Sequence, residues 1–215
     1  MLTIPYIKPP DENACALACY TMVAKYFFPE TTLEQVAKIS QWDPGYVVWS
    51  FRFWLWIMDK GIKITEYDPL DYEIWAERGE EGLKKSVGEE EFRFYKENTR
   101  DLGVYSEDIR KVLRHKNFTH IKTKPTFADL EKAYQNGAVC EVVLDSATLD
   151  GDSGFSLHRV VILDVGDVMT FHDPREDKAM PSRKINRELF EKAWLQAIEE
   201  PELCVYFGNN FQPEV

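Results

Sequence analysis

The chain has 215 residues, of which 44% are hydrophobic and 13% aromatic, and its 26 basic and 37 acidic side chains give a net charge of −11. This composition is typical of a globular protein and excludes a disordered chain. The negative charge argues against a nucleic-acid-binding protein, because phosphate contacts need clustered lysine and arginine. No stretch reaches the roughly 18 consecutive apolar residues of a membrane span, and the N-terminus lacks the pattern of a signal peptide. We therefore expect a cytoplasmic protein without membrane or nucleic-acid partners, whose four cysteines are free thiols.

The N-terminal third is predicted to be mostly helical. The predicted elements are a helix over 14–28, a helix over 33–40, an aromatic helix over 46–60 and a strand over 63–67. Pro29 stops the first helix, and Thr32 and Gln35 form a capping box for the second. Gly61 is the expected stop of the third.

The segment from about 70 to 117 is dense in charge and is predicted to form two or three surface helices. Its glutamate runs at 77–81 and 89–91 are typical of solvated helix faces. Ser106 is predicted to cap one of these helices. Two of the four histidines are also expected at the surface, namely His115 and His120.

The last ninety residues are predicted to contain most of the strands. The predicted strands cover 119–124, 138–145, 158–165, 168–173 and 203–207, with helices between Pro125 and Gly137 and between Asn186 and Glu200. The loop 150–154 is rich in glycine and aspartate, which forbids regular structure there. Helices first and antiparallel strands last predict an α+β fold.

One cysteine and one histidine are placed where nucleophilic catalysis needs them. Cys15 lies in the first turn of the predicted N-terminal helix, where exposed amides and the helix dipole favour a thiolate. His158 lies at the mouth of a predicted buried strand, fixed yet reachable. Because side chains alternate along the next strand, His172 and Asp173 point to opposite faces. If Asp173 faces His158 and orients it, only one histidine fits the site.

Both ends of the chain resemble cysteine peptidase family thirty-nine, the bacteriocin-leader peptidases and their relatives. The run 15–19 (CALAC), ahead of an aromatic pair, is similar to the opening helix of that family. The C-terminal part is also similar, with His158 followed by valines, a strand ending in Asp173 and Pro174, and then a helix containing aromatic residues. The resemblance covers about 4–40 and 125–207.

The resemblance implies a papain-like cysteine proteinase fold, with N-terminal helices packed on a C-terminal antiparallel sheet, as a single domain over 1–215. The charged segment at about 70–117 is then an insertion. It also implies that Cys15 is the nucleophile, His158 the general base and acid, and Asp173 the orienting residue. The implied reaction is hydrolysis of a peptide or other amide bond through a thioester, with no cofactor and no metal.

The chain departs from the family around its nucleophile. The family places glycine directly after the cysteine, where this chain has Ala16, and a glutamine about six residues before it, where this chain has Pro9. That glutamine supplies an oxyanion donor, and loss of one such donor costs on the order of 10²–10³ in rate. Asn13 is the nearby amide side chain that can replace it.

Two other functions stay open, and a metal site is not favoured. The same scaffold supports an acyl or amide transferase, and the missing glutamine also fits an inactive binding module. Cys15 and Cys19 are spaced like zinc ligands, but no second ligand pair closes such a site. Substrate identity and oligomeric state are not predicted.

The remaining cysteines and the tryptophans are assigned mainly to packing. Buried structural thiols are expected at Cys19, Cys140 and Cys204. The aromatic helix either lines a substrate groove or belongs to the core, and the core is favoured because aromatic residues dominate core burial. Its tryptophans are Trp49, Trp54 and Trp56. The acidic loop 150–154 either gates the cleft or only connects two strands.

Overall fold

A computed structural model describes residues 1–208, and this part of the chain contains ten α-helices and seven strands. The helices are α1 (Cys15–Phe27), α2 (Leu33–Ser40), α3 (Phe51–Asp59), α4 (Tyr72–Arg78), α5 (Glu80–Ser86), α6 (Glu89–Asn98), α7 (Ser106–Arg114), α8 (Phe127–Gln135), α9 (Ser146–Asp150) and α10 (Arg187–Glu191). The strands are β1 (Lys63–Tyr67), β2 (Phe118–Ile121), β3 (Val139–Asp145), β4 (Leu157–Asp164), β5 (Val168–Asp173), β6 (Met180–Asn186) and β7 (Glu202–Phe207). A 3₁₀ turn covers Leu102–Tyr105 and a π-helical turn covers Lys192–Gln196.

The strands form one sheet in the order β2-β1-β7-β3-β4-β5-β6. β1 and β2 pair parallel, and the other neighbours pair antiparallel. One hydrophobic cluster joins α1 and the helices up to α7 to one face of the sheet, and a second joins α8 and α10 to the other face. The predicted α+β class is therefore confirmed. Within the described residues no helix is long and apolar enough to cross a membrane.

α1 carries Cys15 as its first residue. Nearly all of its side chains are buried, and it packs along β4. The helix ends at Phe27, one residue before its predicted end and two residues before Pro29. The predicted capping box of α2 is also present: Gln35 N–H donates to Thr32 Oγ1, and Thr32 N–H donates to Gln35 Oε1.

The aromatic helix begins later than predicted, at Phe51 rather than at 46. The preceding residues form an extended strap whose polar groups bond to the charged segment. Val47 N–H donates to Asn98 O at 2.9 Å, and Trp49 Nε1–H donates to Thr99 Oγ1 at 3.2 Å. The Val47 bond replaces the intrahelical bond that this backbone amide would make in a helix.

The charged segment 70–117 forms four α-helices, more than predicted, and it is not simply a surface layer. Trp75 is fully buried. Glu91 was expected on a solvated face but is buried, and its carboxylate accepts hydrogen bonds from the backbone amides that follow the π-helical turn. The Ser106 cap is also wrong: Tyr105 occupies the N-cap position, and Ser106 is the first helical residue.

The C-terminal part differs from the prediction at two places. β6 was missed, because it is an edge strand with mostly exposed polar residues and lacks an apolar face. The loop predicted over 150–154 begins one residue later, because Asp150 closes the short helix α9. Asn186 caps α10 as predicted, but regular helix stops at Gln196 rather than at Glu200.

Candidate functional site

Three elements bring Cys15, His158 and Asp173 together. Cys15 is the first residue of α1, His158 the second residue of β4 and Asp173 the last residue of β5. Val161 pairs with His172, so Asp173 lies opposite residue 160 of the neighbouring strand. Residues 158 and 160 are two positions apart and therefore share a face of the sheet, which places His158 and Asp173 on the same face. The three residues predicted from the sequence are therefore neighbours.

His158 is held by Asp173. Its Nε2 lies 2.7 Å from Asp173 Oδ1, and both side chains are buried. Burial alone lowers the pKa of His158, but the bond to Asp173 and the bond to Cys15 outweigh it and raise that pKa to about 9. Burial raises the pKa of Asp173, but His158 and two arginines hold it well below its usual range.

Cys15 is half-buried, and its thiol interacts with the His158 side chain. Since Nε2 bonds to Asp173, Nδ1 is the ring nitrogen left to interact with Cys15. Burial raises the pKa of the Cys15 thiol, but the hydrogen bond and charge of His158, with a backbone hydrogen bond and the charge of Arg159, leave that pKa below its ordinary value. The pair therefore favours a thiolate beside an imidazolium near neutral pH.

The other three cysteines are fully buried, and burial raises the pKa of each thiol. Cys140 and Cys204 lie in the sheet, as predicted, and Cys19 Sγ donates to Arg159 O at 3.3 Å. Cys15 is thus the cysteine whose surroundings favour the reactive form.

Two arginines that the sequence prediction missed surround Asp173. Arg175 Nε donates to Asp173 Oδ1 at 2.9 Å, and Arg183 Nη1 donates to Oδ2 at 2.7 Å. Both arginines also donate to the Asp150 carboxylate, and the bond from Arg183 Nη2 to Asp150 Oδ1 is 2.9 Å long. This network fixes the carboxylate that orients His158. Arg183 lies on the unpredicted strand β6, so no signal pointed to it.

The remaining histidines lie outside the site. His172 points to the opposite face as predicted, where its Nε2–H donates to Ile4 O at 2.8 Å and its Nδ1 accepts from Ser182 N–H at 3.2 Å. His115 and His120 are half-buried rather than on the surface. His120 Nε2–H donates to a backbone carbonyl at 2.9 Å, and the ring stacks on Tyr72, which explains its burial.

A cleft runs past Cys15 and His158 and has two arms. The apolar arm has about 470 Å³ of empty space, and its walls include Trp49, Tyr95 and Val143. The polar arm has about 930 Å³, and three exposed carboxylates line it. Those carboxylates belong to Glu12, Glu176 and Asp177. Val47 and Phe94 line both arms, so they stand beside the reactive pair.

The charged segment therefore supplies part of the cleft, which the sequence did not indicate. Phe94 and Tyr95 come from α6. Trp49 lines the apolar arm, in agreement with the groove interpretation, whereas Trp54 is buried in the core and donates from Nε1 to Tyr206 Oη at 3.1 Å. Trp56 is half-buried and packs on Phe28.

Asn13 lines the polar arm, but its side-chain amide is engaged in local structure. Its Nδ2 donates to Gly45 O at 2.9 Å, and its backbone N–H donates to Asp11 Oδ1 at 3.0 Å. These bonds join the N-terminal segment to the loop before the strap. The Cys15 backbone amide, at the first position of α1, is a second candidate oxyanion donor, because the first amides of a helix have no intrahelical partner.

Residues 1–208 contain no group of three or more histidine, cysteine, aspartate or glutamate side chains arranged to hold a metal ion. The sequence matches no model of a known protein family and no curated protein significantly. The arrangement of the side chains of Cys15, His158 and Asp173 is therefore the basis for assigning a function.

Proposed function

We propose that this protein is a papain-like cysteine hydrolase that cleaves a peptide or other amide bond. The observation that carries the proposal is the arrangement of three side chains: Cys15 and His158 line the same cleft, and His158 Nε2 lies 2.7 Å from Asp173 Oδ1. A nucleophile at a helix N-terminus, with a base on a strand and an orienting carboxylate on the next strand, supports the papain-like fold. The proposal treats 1–215 as one domain in which the charged segment is an insertion.

The proposed reaction begins with attack of the Cys15 thiolate on the substrate carbonyl carbon. The oxyanion that forms accepts from the Cys15 backbone amide. His158 gives its proton to the leaving amine, and the acyl group remains on Cys15 as a thioester. His158 then takes a proton from water, whose oxygen attacks the thioester and releases a carboxylic acid and the thiolate. Asp173 holds the ring in place throughout.

The oxyanion site is expected to limit the rate. The Asn13 side-chain amide already donates to Gly45 O, and Pro9 occupies the position where the family that this chain resembles has glutamine. A site with one strong donor is slower by on the order of 10²–10³ than one with two. We therefore expect slow turnover rather than an inactive binding module.

Acyl transfer to an amine is a second candidate function, and the polar arm favours it. Its exposed carboxylates create a negative potential beside the thioester, which attracts a cationic amine. Such an amine competes with water for the acyl group.

A peptide library tests the proposal. The wild-type protein and Cys15→Ala are each incubated with a defined peptide mixture, with and without putrescine, and the products are identified by mass spectrometry. We expect new peptide termini with the wild-type protein alone, and putrescine adducts of the acyl fragments if transfer competes. Identical product sets for both proteins would contradict a cysteine-dependent reaction and favour a binding module.

A further inference from the structure

The inner end of the apolar arm contains a buried pair of charged side chains. Arg159 and Glu202 both line this arm, although only 8% and 7% of their surfaces are exposed. The Arg159 guanidinium forms an ion pair with Glu202 Oε2 at 2.5 Å and lies 5.7 Å from the centre of the Tyr20 ring. A charged pair at this depth is costly to desolvate, so apolar packing alone does not account for it.

The polar groups at this end are only partly satisfied. Within the described residues, Arg159 Nη1 has no hydrogen-bond partner, and Glu141 Oε2 lies 3.7 Å from it. Ser50 Oγ also lines the arm, and it accepts from Tyr20 Oη at 2.9 Å. The lining of the arm therefore includes polar side chains among its apolar walls, and one of them has a buried nitrogen without a partner.

The two arms meet at the reactive pair, since Cys15 and His158 line both of them. The apolar arm is lined by Ala16 and Tyr20, which follow the nucleophile on α1. The polar arm is lined by residues 174–177, which follow Asp173. The acyl group stays bonded to the cysteine, and the leaving group departs with a proton from the histidine. The exposed carboxylates of the polar arm suit an amine, and the leaving group of an amide is an amine, so the apolar arm is the one that fits the acyl side of the substrate.

We propose that the apolar arm is a specificity pocket for an acyl-side residue with an apolar stem and an uncharged hydrogen-bonding tip, of the glutamine kind, and that Arg159 and Glu202 determine this specificity. This inference rests on the proposed function. Trp49, Tyr95 and Val143 pack on the stem. A primary amide brings one acceptor and two donors, which suit a guanidinium and a carboxylate respectively. A charged tip leaves one member of the ion pair facing a like charge.

Peptidyl chloromethyl ketones test the inference, since their reactive carbon forms a thioether with the nucleophilic thiolate as chloride leaves. Glutamine, leucine, glutamate or lysine is placed at either of the two positions before the reactive carbon, with glycine at the other. The rate of Cys15 modification is measured by mass spectrometry. We expect the better glutamine probe to react about tenfold to hundredfold faster than the matching leucine probe, because a polar group left unpaired in a buried site is costly. We expect the charged probes to react more slowly still.

A paired variant assigns the effect to the pocket. In Arg159→Met/Glu202→Gln the advantage of glutamine over leucine is expected to disappear. The control is Arg187→Met/Glu191→Gln, which removes an ion pair outside the cleft and should keep the advantage. Equal rates for all probes, or a preference for glutamate or lysine in the wild-type protein, overturn the inference.

Iodoacetamide separates this inference from the proposed function. Iodoacetamide reacts with a thiolate without occupying a pocket. If iodoacetamide labels Cys15 fast but the chloromethyl ketones react at equal rates, the specificity pocket is contradicted and the hydrolase is not. A Cys15 that iodoacetamide labels slowly contradicts the hydrolase. The pocket is then tested with unreactive acetyl-glutamine and acetyl-leucine amides and the NMR signal of the Trp49 indole N–H. A larger shift with the glutamine amide supports the pocket, and equal shifts overturn it.

Discussion

The side chain of His158 has two partners with different roles. Asp173 fixes the ring through Nε2, and Cys15 supplies the second interaction that raises the His158 pKa to about 9. At neutral pH the ring is therefore charged, and its charge stabilises the thiolate. An imidazolium in the resting state can protonate a leaving amine as soon as the thiolate attacks.

Replacement of Cys15 by alanine should lower the pKa of His158. The substitution removes the hydrogen bond and charge of the thiol, which both contribute to the raised pKa. NMR titration of the histidine ring signals measures the effect. His172 is the internal control, because it is buried on the other sheet face and its pKa, lowered by burial, should not change. An unchanged His158 pKa would show that the two side chains do not interact.

The three residues of the candidate site were predictable because each has a local signature. A cysteine at the start of an apolar helix, a histidine at a strand mouth and an aspartate on the next strand are readable from the sequence. Arg175 and Arg183 were missed, because an arginine beside a carboxylate has no sequence pattern of its own. Asn13 shows a related limit, since its bond to Gly45 depends on tertiary packing.

α6 links the charged segment to the rest of the molecule through Glu91. Its Oε1 accepts from Glu199 N–H at 2.9 Å and from Glu200 N–H at 3.2 Å. The same helix carries Phe94 and Tyr95, which line the cleft. The Glu91 carboxylate therefore helps to hold a wall of the site in place.

This buried carboxylate predicts a pH dependence of stability. Burial raises the pKa of Glu91 from 4.5 to about 7. Between these pH values the folded protein holds a proton that the unfolded chain has lost, so the free energy of unfolding falls as pH rises. Glu91→Gln keeps an acceptor oxygen but cannot ionise. The free energy of unfolding, measured with urea at pH 4.5 and at pH 7, should fall more for the wild-type protein than for Glu91→Gln, by on the order of 1–3 kcal/mol. Equal losses in the two proteins would contradict this assignment.

Elements with strong local signals were predicted well. α1, α2 and β1 have capping residues, a proline stop or a clear alternation, and the structure places them within a residue or two of the prediction. The strap before α3 differs from the predicted helix. Its hydrogen-bond partners at 98 and 99 are distant in sequence, so the local sequence does not indicate them. The burial of Glu91 was also unpredictable, since a glutamate run is normally solvated.

At the scale of the whole molecule, a buried charged cluster joins three strands beneath the cleft. Arg159 on β4 pairs with Glu202 on β7 and lies 3.7 Å from Glu141 on β3. Tyr206 Oη also donates to Glu141 Oε2 at 2.8 Å. Burial raises the pKa of Glu141 to about 7, and the charge of Arg159 opposes that rise. The cluster connects the end of β4 that carries His158 to the centre of the sheet.

Breaking this cluster on one side should destabilise the fold. Arg159→Met leaves two buried carboxylates without their cation, which costs about 3–5 kcal/mol for pairs of this kind. The double variant Arg159→Met/Glu202→Gln should lose less, because it removes a charge of each sign. Urea unfolding of the wild-type protein and the two variants measures the difference. A double variant less stable than the single one would contradict the buried ion pair.

The most direct test of the account is the rate at which iodoacetamide labels each cysteine of the folded protein between pH 5 and 9. The lowered pKa of Cys15 and the raised pKa of His158 predict that Cys15 alone labels fast at pH 6, at least about tenfold faster than an ordinary thiol. His158→Ala should abolish this advantage, while Cys140 and Cys204 stay protected in both proteins. A Cys15 that labels no faster than those two cysteines, or one unaffected by the loss of His158, would contradict the thiolate–imidazolium pair and with it the hydrolase.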